Sequence, residues 1–246
     1  MRTMKKPTLL ILALSVACLT CGLQAQDANG EKSIKCRFRF YGWDEPITDL
    51  HYNLKGKDTE LVIYQDSRSI FYDYSGPEVL SLYRLKTDAD GNVVREMAAN
   101  ANLAKGGSWP LIVISSQQAK PGIYQTVVLK DDLISFPAGS YAFSNFSSTI
   151  VGGYLGTEEF VISPGESKLL AGTPKSDSTT LAALFFKVAG NKKEPIYTNN
   201  WAIRPAIRTR VFVKASSESP SGIVARRLVE STYFPPTPKD ALTQAD

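Results

Sequence analysis

The chain has 246 residues, of which 28 are Lys or Arg and 24 are Asp or Glu, so its formal charge is +4. It contains one histidine and three cysteines. One histidine excludes a multi-histidine metal site within a single chain, and we expect the protein to use no cofactor.

The first 25 residues have the pattern of a secretory signal peptide. Three basic residues precede an apolar run at 9–17, which is too short to remain as a bilayer anchor. Ala25 supplies the small residue of a cleavage site, so the mature chain is predicted to begin at Gln26. We therefore expect an exported protein, periplasmic or secreted, with no transmembrane segment in the mature chain.

The cysteines divide between this leader and the mature chain. Cys18 and Cys21 lie in the leader, where lipidation of one of them is the alternative to cleavage after Ala25. Neither has the aliphatic residue three positions earlier that this lipidation prefers. Cys36 is then the single cysteine of the mature chain, which excludes an intramolecular disulfide. Its phase in the alternating run 34–40 predicts a place on the buried face of a strand.

The positive charge of the chain belongs mostly to the leader. The leader accounts for three of the four excess positive charges, so the mature chain is almost neutral. A nearly neutral chain gives no support for binding nucleic acid or an anionic membrane surface. Arg208, Arg210, Arg226 and Arg227 are a candidate basic patch, but the usual surface preference of arginine favours separate, solvated positions on alternating strands.

Short runs with a period of two follow one another from residue 34 onward, separated by turn-forming residues such as Asp88–Asn92. This pattern is typical of an all-β sandwich or barrel. One segment, 95–104, could instead form one or two helical turns. The predicted strands are 34–41, 49–54, 60–65, 79–85, 111–115, 123–129, 140–146, 153–155, 159–162, 181–188, 207–214 and 223–229.

So many strands exceed the needs of one small sandwich and predict an all-β fold of two immunoglobulin-like β-sandwich domains. Similar aromatic runs at 38–43 and 141–146 favour two related domains. No linker rich in proline or serine separates them, so we expect them to pack together. The predicted divisions are a signal peptide at 1–25, domain 1 at 26–131, domain 2 at 132–233 and a disordered tail at 234–246.

Three segments, 136–146, 155–166 and 208–213, resemble a group of exported bacterial β-sandwich proteins of uncharacterised function. The shared motifs are a turn, a strand and a Pro-Gly hairpin. The resemblance implies the fold and the compartment, and it implies no catalytic or binding residues.

His51 is the only residue that could serve a histidine-dependent catalytic centre. It alternates with the apolar Leu50 and Tyr52, so we predict that it lies on the solvent side of its strand. No Gly-x-Ser-x-Gly motif supplies a nucleophile. A carboxylate pair for glycoside hydrolysis remains an alternative, and the acidic doublets are Asp44-Glu45, Asp131-Asp132 and Glu158-Glu159.

Three tryptophans are the candidate ligand-binding residues. Trp43, Trp109 and Trp201 stand near predicted strand ends, where exposed rings could stack on sugars, although packing in a core or between domains is the alternative. We predict an exported, non-catalytic binding or envelope-associated module whose partner is an envelope protein or a carbohydrate. The alternatives are an envelope assembly component that docks by strand addition and a carboxylate-dependent polysaccharide hydrolase.

Overall fold

A computed structural model describes residues 32–117, 119–175, 177–190 and 192–232. The predicted signal peptide, the cleavage site at Ala25 and the predicted tail lie outside these described residues. The described part is all-β, as the alternating pattern predicts.

The first sandwich contains two four-stranded sheets. Its strands are β1 (Ser33–Gly42), β2 (Ile47–Leu54), β3 (Lys57–Ile63), β4 (Tyr72–Pro77), β5 (Val79–Thr87), β6 (Val93–Asn102), β7 (Pro110–Ser116) and β8 (Tyr124–Lys130). One sheet has the order β4-β1-β7-β8 and the other has the order β3-β2-β5-β6. Neighbouring strands are antiparallel except β1 and β7, which are parallel. A 3₁₀ turn at Leu103–Gly106 follows β6.

The second sandwich repeats this arrangement. Its strands are β9 (Tyr141–Asn145), β10 (Ile150–Leu155), β11 (Glu158–Ile162), β12 (Ser167–Leu170), β13 (Thr180–Ala189), β14 (Lys192–Ala202), β15 (Ile207–Ala215) and β16 (Ile223–Ser231). The sheet orders are β12-β9-β15-β16 and β11-β10-β13-β14, and β9 and β15 form the parallel pair.

The two sandwiches therefore have the same topology, strand for strand. The similar aromatic runs at 38–43 and 141–146 favour such a pair of related domains. In each of them the first strand pairs with the fourth and the seventh strands. An immunoglobulin constant domain instead places its first strand beside its second. The sandwich architecture is confirmed, with its own strand order.

Each of the predicted strands overlaps an observed one, and the structure adds β4, β6, β12 and β14. The helical alternative for 95–104 is wrong, because β6 continues to Asn102 and only the four-residue 3₁₀ turn follows. The predicted turn at Asp88–Asn92 does join β5 to β6. There the Asp88 carboxylate accepts hydrogen bonds from the backbone N–H groups of Asp90 and Asn92.

Each sandwich has its own apolar core between its two sheets. Phe38 and Phe40 of β1 and Leu50 and Tyr52 of β2 are at most 1% exposed and belong to the first core. The second core includes Phe143, Phe160, Phe185 and Trp201. The period of two therefore selects the buried face correctly in both sandwiches.

The domain contact is a third apolar cluster, which lies between sheet β4-β1-β7-β8 and sheet β12-β9-β15-β16. The rings of Tyr41 and Phe212 lie 4.8 Å apart between centroids. At this cluster, therefore, both faces of the two sheets are covered, one by the core and one by the other domain. The buried residues of the cluster are Tyr41, Trp43, Leu111, Val113, Phe212 and Leu228.

Candidate functional site at the domain junction

Beside this apolar contact, four arginines surround two carboxylates. We call this set the arginine cluster: Arg39, Arg68, Arg208, Arg210, Asp131 and Glu230. The alternation of β1 places Arg39 on the face that carries Tyr41, and the alternation of β15 places Arg208 and Arg210 on the face that carries Phe212. The two sheets thus bring arginines from both domains to one place.

Asp131, which directly follows β8, is the centre of the cluster. Its carboxylate lies 2.8 Å from Nη2 of Arg39, 3.0 Å from Nη2 of Arg210 and 3.2 Å from Nη2 of Arg68. Glu230 lies 2.7 Å from Nη2 of Arg208. One carboxylate therefore holds arginines from both sandwiches.

The cluster is almost completely buried, with Asp131 1% exposed and Arg208 0% exposed. Burial by itself would raise the pKa of Asp131, but the charges of Arg68, Arg210 and Arg208 outweigh it and hold that pKa below its ordinary value. Among the described residues, the four guanidinium groups exceed the two carboxylates by two positive charges.

The connection between the domains is fixed by the same arginines. Nη1 of Arg208 donates hydrogen bonds to the carbonyl oxygens of Asp131 and Phe136, at 2.8 and 2.9 Å. The guanidinium carbons of Arg208 and Arg210 lie 4.7 and 4.6 Å from the centre of the Phe136 ring. These cation–π contacts attach the segment between β8 and β9 to the second sandwich.

The expectation of solvated arginines on β15 is wrong for Arg208 and Arg210, because the outer face of their sheet is covered by the other domain. Arg226 contacts Asp66 and the Trp43 ring at this domain contact, whereas Arg227 is exposed. The four arginines Arg208, Arg210, Arg226 and Arg227 therefore do not form one basic patch. Alternation gives the phase of such residues, but it does not reveal that a second domain covers their face.

A groove opens beside Arg210, between the edge strands β8 and β12. Its volume is about 270 Å³, and residues of β8, β9, β12, β15 and the connecting segment line it. Arg210 is 3% exposed, whereas Ser167 and Leu169 of β12 are exposed. The site thus combines a buried guanidinium with serine and apolar side chains.

The three tryptophans do not come together. Trp43 and Trp201 are each 3% exposed. Trp43 packs in the domain contact, and Trp201 stacks on Tyr141 in the second core with 5.7 Å between ring centres. Trp109 is half-buried and its ring contacts Phe71. Packing accounts for Trp43 and Trp201, and neither offers a free ring face to a sugar.

The side chain of His51 is on the outer face of its sheet, opposite the buried Leu50 and Tyr52, which agrees with the predicted phase. It is paired across the sheet with Glu60 and Tyr83. Its Nδ1 atom is buried and has no hydrogen-bond partner among the described residues. Among the described residues, these cross-strand partners supply a carboxylate but no serine or cysteine nucleophile for a triad.

The acidic doublets hold local structure. Asp44 and Glu45 accept hydrogen bonds from the backbone N–H and the hydroxyl of Ser116. Asp132 accepts two backbone N–H groups in its own turn, and Glu158 accepts the N–H and hydroxyl of Thr173. Over the ranges that the structure describes, no group of three His, Cys, Asp or Glu side chains could hold a metal ion.

No helix in the described ranges combines the length and the apolar composition needed to cross a bilayer. No family model and no curated protein matches the chain. Among solved structures, the chain is similar to a "putative cell adhesion protein" from Bacteroides eggerthii DSM 20697, with 10% sequence identity and a TM-score of 0.19. That similarity covers 80% of this chain and 97% of the other.

Proposed function

We propose that the protein is an exported, non-catalytic binding module whose two sandwiches form one body for contact with an envelope protein or a carbohydrate. Export rests on the leader-like sequence of residues 1–25. The observation that carries the binding proposal is the groove beside Arg210. A concave, partly apolar site with a few convergent polar groups is typical of ligand binding.

The surroundings of the carboxylates support binding over hydrolysis. A glycosidase needs two carboxylates on opposite sides of a scissile bond, one of which carries a proton at neutral pH. Asp131 is surrounded by arginines, which hold its pKa low instead of raising it. Glu230 is also engaged by arginines, and the acidic doublets bind backbone N–H groups or hydroxyls.

The test combines a glycan array with a hydrolysis assay on the same mature protein. We expect saturable retention on an immobilised glycan or envelope fraction, with no release of reducing ends. His51→Ala should change neither result, because the imidazole lies on the outer face of its sheet and its Nδ1 has no hydrogen bond to lose among the described residues. Hydrolysis that disappears in His51→Ala at an unchanged melting temperature would contradict the proposal. So would hydrolysis that disappears when one exposed carboxylate is removed.

Docking by strand addition is the second candidate, and β14 is the strand that favours it. This strand has eleven residues and lies at the edge of its sheet, beside β13. Its first part carries two lysines and Pro195, which oppose edge-to-edge pairing. The part of the strand that could pair with a partner strand is therefore the part after Pro195.

Successive backbone N–H groups of a strand point to opposite sides, so proline substitutions test this edge directly. Of Thr198→Pro and Asn199→Pro, one removes an N–H from the free edge and leaves the pairing with β13 intact. Strand addition predicts that this variant folds normally and loses its partner. A partner that is retained by the folded variant excludes docking along β14.

A further inference from the structure

The two sandwiches differ at the end where β6 leads to β7 and, correspondingly, β14 leads to β15. In the first sandwich this connection contains the 3₁₀ turn, and Leu103 of the turn is 1% exposed within the first core. A Cβ at Gly106 would lie 2.4 Å from Cβ of Pro110 on β7, so the turn packs tightly against that strand. The connection in the second sandwich, 203–206, is shorter, and a cavity of about 140 Å³ lies beside it.

The walls of this cavity come from the inner faces of both sheets of the second sandwich. Thr209 on β15 is paired with Tyr141 on β9 and with Val229 on β16. Directly paired residues point to the same face of a sheet, and Tyr141 belongs to the second core, so this row points inward. Trp201 lines the cavity from β14. Val229 is 45% exposed because β16 is an edge strand, so the cavity is open to solvent on this side.

Two arginines supply positive charge at the cavity. Arg227 is paired with Val211 of the second core, so it belongs to the inner face of β16. Its guanidinium carbon lies 5.1 Å from the centre of the Trp201 ring, and a guanidinium in such a contact keeps its N–H edges available as donors. Arg204 lines the cavity from the connecting segment. Both arginines are exposed, and neither forms an ion pair within the described ranges, so the local field favours a negatively charged ligand.

Two hydroxyl groups at the cavity also have no hydrogen-bond partner among the described residues. They belong to Tyr141 and Thr209, which are 7% and 6% exposed. Burial raises the pKa of Tyr141 and the charge of Arg227 opposes that rise, which shows that the phenol lies within reach of the guanidinium charge. A hydroxyl can donate and accept, and buried polar groups are normally paired. A ligand that carries both hydroxyl groups and a negative charge would complement the cavity.

The volume of the cavity limits this ligand to about one ring. A cavity of about 150 Å³ holds one six-membered ring, and this cavity measures about 140 Å³. Ile207 and Val229 give it apolar walls. The C–H groups of a sugar ring would cover these walls, whereas an inorganic oxyanion would leave them in water.

We propose that the cavity binds a single acidic sugar, a pyranose ring that carries a carboxylate. The carboxylate accepts hydrogen bonds from Arg204 and Arg227, and the ring hydroxyls pair with the hydroxyls of Tyr141 and Thr209. Neighbouring residues of a strand point to opposite faces, so this cavity and the groove beside Arg210 lie on opposite sides of one sheet. The assignment therefore goes beyond the proposed function by adding a second site with a defined class of ligand.

Calorimetric titration of the chain from residue 26 onward with methyl glucuronoside tests the assignment. Methyl glucoside is the neutral analogue, benzoate is a carboxylate on a ring without hydroxyls, and inorganic phosphate is an anion without a ring. We expect saturable binding of methyl glucuronoside that weakens at high salt. The other three compounds should bind at least about tenfold more weakly, which corresponds to the loss of about 1.4 kcal/mol of binding free energy.

Three variants locate the binding in the cavity. Arg227→Gln and Arg204→Gln each remove one cation, and Thr209→Val removes the hydroxyl while it keeps the shape of the side chain. Each should lower the affinity for methyl glucuronoside about tenfold, as expected for the loss of one hydrogen bond to a polar or charged group. Arg204 is exposed in the connecting segment, so its variant keeps the core intact. The matched control is Lys192→Gln, which removes the same charge from an exposed position at the other end of β14 and should bind like the wild type.

Equal losses in Arg204→Gln and Lys192→Gln would overturn the assignment. So would methyl glucoside or benzoate binding as tightly as methyl glucuronoside, preferential binding of phosphate, or no saturable binding. The glycan array distinguishes such a failure from failure of the proposed function. A neutral glycan that the wild type and Thr209→Val retain equally would leave the binding module standing without this site.

Discussion

Asp131 is the residue on which the domain contact depends most, because its carboxylate contacts arginines from both sandwiches. Asp131→Asn would leave these buried guanidinium groups without their principal anion. Loss of one partner from a buried ion pair typically costs about 3–5 kcal/mol. We therefore expect the free energy of unfolding to fall by about this amount in urea titrations at pH 7. Asp132→Asn, at the neighbouring half-buried position, is the control and should cost much less.

The pH dependence of stability provides a second test at Asp131. The pKa of Asp131 is lower in the folded protein than its ordinary value of 3.8, so its stabilising contribution is complete above that value. As pH falls below 3.8 the contribution declines by up to about 1.4 kcal/mol per pH unit. The stability difference between the wild type and Asp131→Asn should thus be constant from pH 5 to 7 and smaller at pH 3. An unchanged difference at pH 3 would refute the role of the carboxylate charge.

Cys36 gives a prediction on thiol reactivity. Burial raises the pKa of its thiol to about 11, and its side chain packs at the margin of the first core. Only about one thiol in a thousand is then ionised at pH 8, and the thiolate is the reactive form. We expect slow labelling by a disulfide reagent in the native protein and rapid labelling in urea. Fast native labelling that Cys36→Ser abolishes would mean that this strand is open to solvent.

At the scale of the element, the two glycines of β10 pack closely against the neighbouring strand β13. Gly152 and Gly153 both lie within β10, between β11 and β13. A Cβ at position 153 would lie 2.3 Å from the backbone oxygen of Leu184. At position 152 the nearest atom, at 2.7 Å, belongs to the Phe186 side chain. The backbone of Leu184 cannot move aside as the Phe186 side chain can.

Gly153→Ala should consequently cost about 1–3 kcal/mol through overpacking and displacement of β13. Gly152→Ala should cost less, because the Phe186 ring can shift. Chemical denaturation of both variants checks the order. A larger loss in Gly152→Ala than in Gly153→Ala would contradict the packing described here.

The strands that the sequence pattern misses are the same two in each sandwich. β4 corresponds to β12, and β6 corresponds to β14, and all four lie at sheet edges. Edge strands bury less of each side chain, so their residues need not alternate between apolar and polar. Val93 and Met97 of β6, for example, are 68% and 45% exposed. All central strands were predicted, because the opposed sheets impose alternation on them, whereas only half of the eight edge strands were.

At the scale of the whole molecule, the candidate site was less predictable than the fold. Asp131 appears in the sequence as half of an acidic doublet, and Arg39 appears as the polar position of an alternating strand. Only the pairing of β7 with both β1 and β8 in one sheet brings them within 2.8 Å, and the second sandwich then adds Arg208 and Arg210. Local pattern therefore predicts the two sandwiches and their contact, whereas the arginine cluster and the groove depend on contacts distant in the sequence.

The central claim is that the two sandwiches behave as one body because the arginine cluster and the apolar contact join them. Calorimetry of the chain from residue 26 onward tests this claim most directly. We expect one unfolding transition with equal calorimetric and van't Hoff enthalpies. A variant that combines Asp131→Asn with Phe212→Ala should unfold in two transitions, since it removes the centre of both parts of the contact. Two independent transitions in the wild-type protein would contradict the claim.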